Sequence, residues 1–158
     1  MKLSVCVATA LLTLSTAANA AFNPVEFFRG RTRGAGTLKV IFQSVKTIPV
    51  ESEGRIEKDG SLILTQIIHE PGKPERTRYW HLRQVGTDRF AGTLTDAASP
   101  VRVDTVGGRL RIRYTGKDHL DFEQWLTPIS PTAVSNKMRV KRFGFVVARF
   151  EEVIRKLD

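Results

Sequence analysis

Hydrophobic and polar residues alternate along most of the chain with a period of two, the signature of half-buried strands. The pattern is cleanest from Arg109 to Thr115, where Leu110, Ile112 and Tyr114 point one way and Arg109, Arg111 and Arg113 the other. Leu38, Val40 and Phe42 share a face in a first long strand expected over Thr37 to Ile48, with Pro49 marking a bend or an edge. Val50 to Glu57 reads as a second strand. Asp59-Gly60 is a hairpin turn. Ser61 to His69 follows as a third strand, with Leu62, Leu64, Gln66 and Ile68 on one side. Arg76 to Asp96 is a hairpin about Gly86-Thr87-Asp88; Arg78, Trp80 and Leu82 share a face in its first strand and Phe90, Gly92, Leu94 and Asp96 in its second. Further strands are expected over Val101 to Val106, Arg109 to Thr115, Leu120 to Thr127 and Thr132 to Phe143, with Pro128 to Pro131 as a break.

The ends of the chain read differently. Asn23 caps a short helix that Pro24 opens and Gly30 stops, and Phe27 or Phe28 docks it on a core. From Gly144 to Leu157 two patterns compete. Phe150, Val153, Ile154 and Leu157 fit a helix face, whereas Val146, Ala148, Phe150 and Ile154 fit a strand face that Glu152 interrupts. The strand is preferred as far as Phe150.

Short strands at a spacing of roughly eight to twelve residues, joined by tight turns, predict an all-β sandwich or barrel. Hairpin-length connections favour an up-and-down antiparallel meander, which removes its edges by closing. The expected architecture is a barrel of about eight to ten strands behind a short N-terminal helix, wide enough for packed side chains or one small ligand.

Residues 1 to 20 stand apart from this pattern. Lys2, the apolar run Leu3 to Leu14 and the small-x-small triplet Ala18-Asn19-Ala20 have the form of a secretory signal, with cleavage expected after Ala20. The expected destination is the periplasm or the exterior. Cys6 lies inside the apolar run, and Ala21 stands where a lipoprotein would carry its cysteine. The chain after Ala20 has no cysteine, so its single expected domain, 21–158, is held by its apolar core.

The chain carries a net charge of +9, and +8 once Lys2 is removed. Export makes nucleic acid an unavailable partner and leaves anionic lipid headgroups or lipopolysaccharide; the dispersed charge is otherwise a means of staying soluble. Arg109, Arg111 and Arg113, with Lys137, Arg139 and Lys141, form an outward basic surface suited to such a partner, or a solvated sheet face.

Candidate chemistry is sparse. His69, His81 and His119 stand on or beside different strands without metal-ligand spacing. Neither a nucleophile motif nor a paired-acid arrangement is recognisable, so neither enzyme nor cofactor chemistry is expected. What asks for explanation is a charged pair on an aromatic face. Arg78 either pairs with Asp96, or anchors a ligand carboxylate or phosphate against Trp80 and Phe90. Tyr114, Trp125 and Asn136 are further candidates for the barrel interior, or for plain core packing.

Several short motifs occur together: FFRG (Phe27 to Gly30), DGSLIL (Asp59 to Leu64), RYW (Arg78 to Trp80) and F-x-G-x-L-x-D (Phe90 to Asp96). Gly108, Tyr114, QWL (Gln124 to Leu126) and N-x-x-x-x-x-R-F-G (Asn136 to Gly144) follow in order. In this the chain resembles the bacterial domain-of-unknown-function 3833 family, from Phe27 to Lys156. The resemblance implies a calycin-type barrel, the architecture of lipocalins and fatty-acid-binding proteins. This chain departs in having Glu123-Gln124 for paired acids, Ala97-Ala98-Ser99 for a glycine-containing turn, and no lipobox cysteine. Fold does not carry chemistry. The expected role is that of a monomeric, non-enzymatic envelope barrel binding a small amphipathic ligand such as a fatty acid or lipid fragment; alternatives are a structural protein contacting anionic surfaces and a barrel-type enzyme.

Overall fold

In the computed structural model, which describes residues 22–157, ten antiparallel strands close on themselves. The expected signal segment, its cleavage site and Cys6 lie outside the described residues. The strands are β1 (Gly30–Val40), β2 (Lys46–Ile56), β3 (Leu62–Ile68), β4 (Arg76–Gly86) and β5 (Arg89–Leu94). They continue as β6 (Val101–Val106), β7 (Arg109–Thr115), β8 (Asp121–Ser130), β9 (Ala133–Arg142) and β10 (Phe145–Lys156). Each pairs with its neighbours in sequence, and β10 returns to β1 with Leu38 opposite Phe150. The up-and-down barrel expected from the alternation is the fold of the chain.

One end is plugged by α1 (Pro24–Phe27). Asn23 caps it, its side chain accepting from the Val25 N–H at 2.9 Å. Lys156 Nζ donates to the carbonyls of Phe27 at 2.8 Å and Arg29 at 2.6 Å, tying the last strand to the plug. Phe27 and Phe28 join a core with Leu62, Leu110, Val103 and Val134. A smaller buried cluster of Ile48, Val50, Ile68 and Phe150 forms separately.

Four boundaries differ from the sequence reading. β1 begins at Gly30 and turns after Val40, so Gly34-Ala35-Gly36 lies within a strand. The small residues suit a crowded lumen: a Cβ on Gly34 would stand 2.4 Å from Glu152 Oε2. Pro49 sits inside β2 opposite Ala35, and its carbonyl accepts from the His69 N–H at 3.0 Å. Its nitrogen points to the same side, where β3 has already ended, so the missing donor interrupts no ladder. Pro128 is likewise inside β8, at a register shift before Ser130. The last segment is strand through Lys156, without the alternative helix, because Ala148, Phe150, Glu152 and Ile154 all face inward against β1 and β9.

Candidate functional site

A cavity of about 350 Å³ lies inside the barrel, lined by members of both buried clusters, among them Leu64, Trp80, Ile112, Ile48 and Phe150. Its volume is at the lower end for small-molecule sites. Leu38, Val40, Val147, Glu70 and Arg76 line it toward the end opposite α1, where β1 ends and β4 begins. Seven polar side chains also reach the wall: Gln66, Glu70, Arg76, Arg78, Gln124, Asn136 and Glu152. They fall into two groups.

The first group is the charged hairpin. Arg78 Nε stands 2.9 Å from Asp96 Oδ2, an ion pair whose N–H lies off the line of a hydrogen bond. Its Nη2 donates to the Tyr114 hydroxyl at 3.0 Å, and its guanidinium lies 5.5 Å from the Trp80 ring centre. Arg76 Nη1 donates to the same Asp96 oxygen at 3.3 Å. Trp80 Nε1 donates to Gln66 Oε1 at 2.6 Å, and Tyr114 stacks on Phe122 with ring centres 4.7 Å apart. Burial pushes the Tyr114 phenol upward, which Arg78 partly offsets. Arg78 therefore pairs with Asp96 and at the same time lines the cavity. At the rim, Lys46 and Lys73 hold Glu70 at 3.0 and 2.9 Å and keep its carboxyl below the usual range.

The second group crosses three adjacent strands. Gln124 Nε2 on β8 donates to Asn136 Oδ1 on β9 over a long 3.4 Å. Asn136 Nδ2 donates to Glu152 Oε1 on β10 at 2.9 Å. Asn136 is 3% and Glu152 8% exposed. Gln124 Oε1 and Glu152 Oε2 are buried with no hydrogen-bond partner. Burial raises the Glu152 carboxyl above its ordinary range, and the Asn136 bond only partly opposes this. Buried polar atoms are ordinarily satisfied, and leaving one unpaired costs about 1–3 kcal/mol. The group thus offers two oxygens with unused accepting capacity beside an apolar lumen.

The structure distributes the expected residues unevenly. Arg78, Trp80 and Asn136 line the cavity, and Asp96 and Tyr114 hold Arg78 from behind. Phe90 is packed into the core beside Val103. Trp125 is corrected: it faces outward, under Arg109 at 4.5 Å and Arg111 at 5.6 Å, because it alternates with the lumen-facing Gln124 and Leu126. The basic stripe is outward but substantially neutralised. Arg111 Nε donates to Glu123 at 3.0 Å, Arg139 lies 3.4 Å from Glu123, and Arg113 lies 2.7 Å from Asp104. Lys137 stands opposite Trp125 and Lys141 opposite Asp121. Gln66, Gln124 and Glu152 were missed as site residues. Their signal was present, each being a polar residue in an inward apolar alternation, as in Leu120-Phe122-Gln124-Leu126. Among the described residues no His, Cys, Asp or Glu cluster is arranged to hold a metal ion.

The barrel is similar to known structures. An S-type phycobiliprotein lyase, CPES, from Guillardia theta superposes with a TM-score of 0.69 at 7% identity, covering 85% of this chain and 90% of that one. A protein of unknown function from the DUF3598 family of Nostoc punctiforme PCC 73102 superposes with a TM-score of 0.64 at 12% identity. That match covers 84% of this chain and 48% of the other. Identities this low speak for the fold alone, a closed antiparallel up-and-down β-barrel. No curated protein of similar sequence was found. The family described as "Protein of unknown function (DUF3833)" matches residues 1–156, and the chain belongs to it.

Proposed function

We propose that this protein is an exported, non-enzymatic carrier for a small single-chain amphipath, a fatty acid or lipid fragment, in the cell envelope. The observation that carries the reading is the cavity itself: about 350 Å³ of chiefly apolar space inside the closed barrel. Sites of this kind pair an apolar wall with a few placed polar groups. The apolar tail lies among Leu64, Ile112, Met138 and Phe150. An acidic head suits the rim, where four cations (Lys46, Lys73, Arg76 and Arg78) surround two carboxylates, Glu70 and Asp96. A hydroxyl or amide donor partway along the tail suits Gln124 Oε1 and Glu152 Oε2. Export is supported by the signal-like residues 1 to 20.

The test is extraction of the protein purified from its host under denaturing conditions, with mass spectrometry of the extract, followed by titration with a fluorescent fatty acid. A co-purifying amphipath, or saturable probe binding weakened roughly tenfold by Arg76→Gln, is expected. An empty extract together with no saturable probe binding would overturn the reading.

A further inference from the structure

The two hairpin tips at the open end of the barrel have a composition that folding does not explain. Among the described residues eleven large apolar side chains are markedly exposed, and five of them crowd here. Ile41, Phe42 and Val45 are on the β1–β2 tip, and Phe143 and Phe145 are on the β9–β10 tip. The tips adjoin, because β1 pairs with β10 and the Ile41 N–H donates to the Val147 carbonyl at 3.0 Å. Phe42 is fully exposed and Phe143 is 85% exposed. Both hold left-handed backbone, with φ of 60° and 50°. Glycine or asparagine occupies that region at little cost, whereas a bulky side chain there is an outlier. Two phenylalanines are thus kept in a strained conformation and gain nothing by burial.

The charge around them is as one-sided. From Thr37 to Thr47 and from Arg139 to Arg149 the sequence has six cations and no acid. Arg149 on β10 stands directly opposite both Lys39 on β1 and Arg139 on β9. Like charges directly opposite in a sheet destabilise it. Arg139 is relieved by Glu123 on β8 and Lys46 by Glu70, and Lys141 stands opposite Asp121; Lys39 and Arg149 still face each other, and Arg142 lies over the Phe143 ring at 5.4 Å. Aromatic tips in a ring of cations match a surface with an apolar interior and an anionic face. The cavity is lined toward this same end by Val40 and Val147.

We propose that the open rim docks on an anionic lipid bilayer, with Phe42, Phe143 and Phe145 entering the headgroup layer and Lys39, Arg142 and Arg149 meeting the lipid phosphates. The docked barrel turns its cavity mouth to the bilayer. Docking does not rest on the cavity carrying a ligand, since it is read on the protein alone.

Vesicle flotation tests this with the mature chain, using phosphatidylcholine vesicles with and without phosphatidylglycerol. Binding is expected only with phosphatidylglycerol and should weaken as salt rises. The double variant Phe42→Gly and Phe143→Gly should lose at least about tenfold in binding, yet melt no lower than the parent, because glycine relieves the backbone. Lys39→Gln with Arg149→Gln should weaken binding and flatten its salt dependence. Val85→Ser, at the opposite end of the barrel, should bind as the parent does. The proposal is overturned by failure of the parent to float with anionic vesicles, by equal binding to neutral ones, by unchanged flotation of the double glycine variant, or by an equal loss in Val85→Ser.

Discussion

Glu152 is an acid whose surroundings set it apart from an ordinary surface carboxylate. It is buried on β10, bonded by Asn136, and in contact with the space that Gly34 leaves open. An acid whose pKa is raised in the folded state favours that state while protonated. Its contribution is complete below the unfolded value and is lost as pH rises through the folded one. Glu152→Gln stays neutral, so its urea midpoint should fall less than the parent's between mildly acidic and alkaline pH. A parallel pH dependence in the two proteins would contradict a titrating Glu152. Glu123 has the opposite sign. Arg111 bonding is the main cause holding its carboxyl below the ordinary value of 4.5, so its contribution is present above that value. It is lost as pH falls through the lower folded value. Arg111→Gln should therefore lower the urea midpoint at neutral pH, with the difference from the parent shrinking as pH falls through that range. Asn136→Ala strips the partner from Glu152 and opens space at a buried position; a loss of about 2–3 kcal/mol is expected in equilibrium unfolding.

At the scale of elements, two close contacts hold the barrel ends and its curvature. Lys156 donates to two carbonyls beside α1, and charged hydrogen bonds contribute more than neutral ones. Lys156→Met keeps most of the aliphatic stem and loses both bonds. It should cost about 1–2 kcal/mol and speed hydrogen exchange at the α1 amides before the rest of the barrel. Gly92 on β5 approaches β4 so closely that a Cβ would fall 1.7 Å from the His81 carbonyl oxygen. Gly92→Ala must therefore separate β4 from β5 locally, and a lowered melting temperature is its expected result. At this scale much was legible. The hairpins about Asp59-Gly60 and Gly86-Thr87-Asp88 stand where the turn residues placed them. Pro49 and Pro128 misled because proline breaks a strand only where its nitrogen faces a partner, and neither nitrogen's environment is visible along the chain.

For the whole molecule, the consequence of closure is a lumen, and a lumen makes stability depend on what fills it. A ligand that binds only the folded barrel raises stability by about 2.7 kcal/mol at a hundredfold excess over Kd. Melting of the delipidated protein should therefore rise with added fatty acid. An unmoved melting temperature at concentrations that saturate the fluorescent probe would place the probe outside the lumen. Closure also explains the division of the polar groups. Gln124, Asn136 and Glu152 meet because β8, β9 and β10 are neighbours, and Arg78 reaches Tyr114 only across the barrel.

The chain's own alternation determined the strands, their antiparallel order and, strand by strand, which residues face inward. That information is local, since successive side chains leave an extended backbone on opposite sides. By the same rule Trp125 belongs outside, with Asp121 and Glu123. Only the tertiary structure decided which inward polar residues meet, which basic residues are neutralised, and that Arg78 both pairs with Asp96 and lines a cavity. Those outcomes depend on register between strands, on the closing β1–β10 ladder, and on the space left over after packing. None of these is carried by any one stretch of sequence. The hairpin from Arg76 to Asp96 shows the division: its faces and the local Arg78–Asp96 pair follow from spacing, whereas Arg78 meets Tyr114 only through the folded barrel.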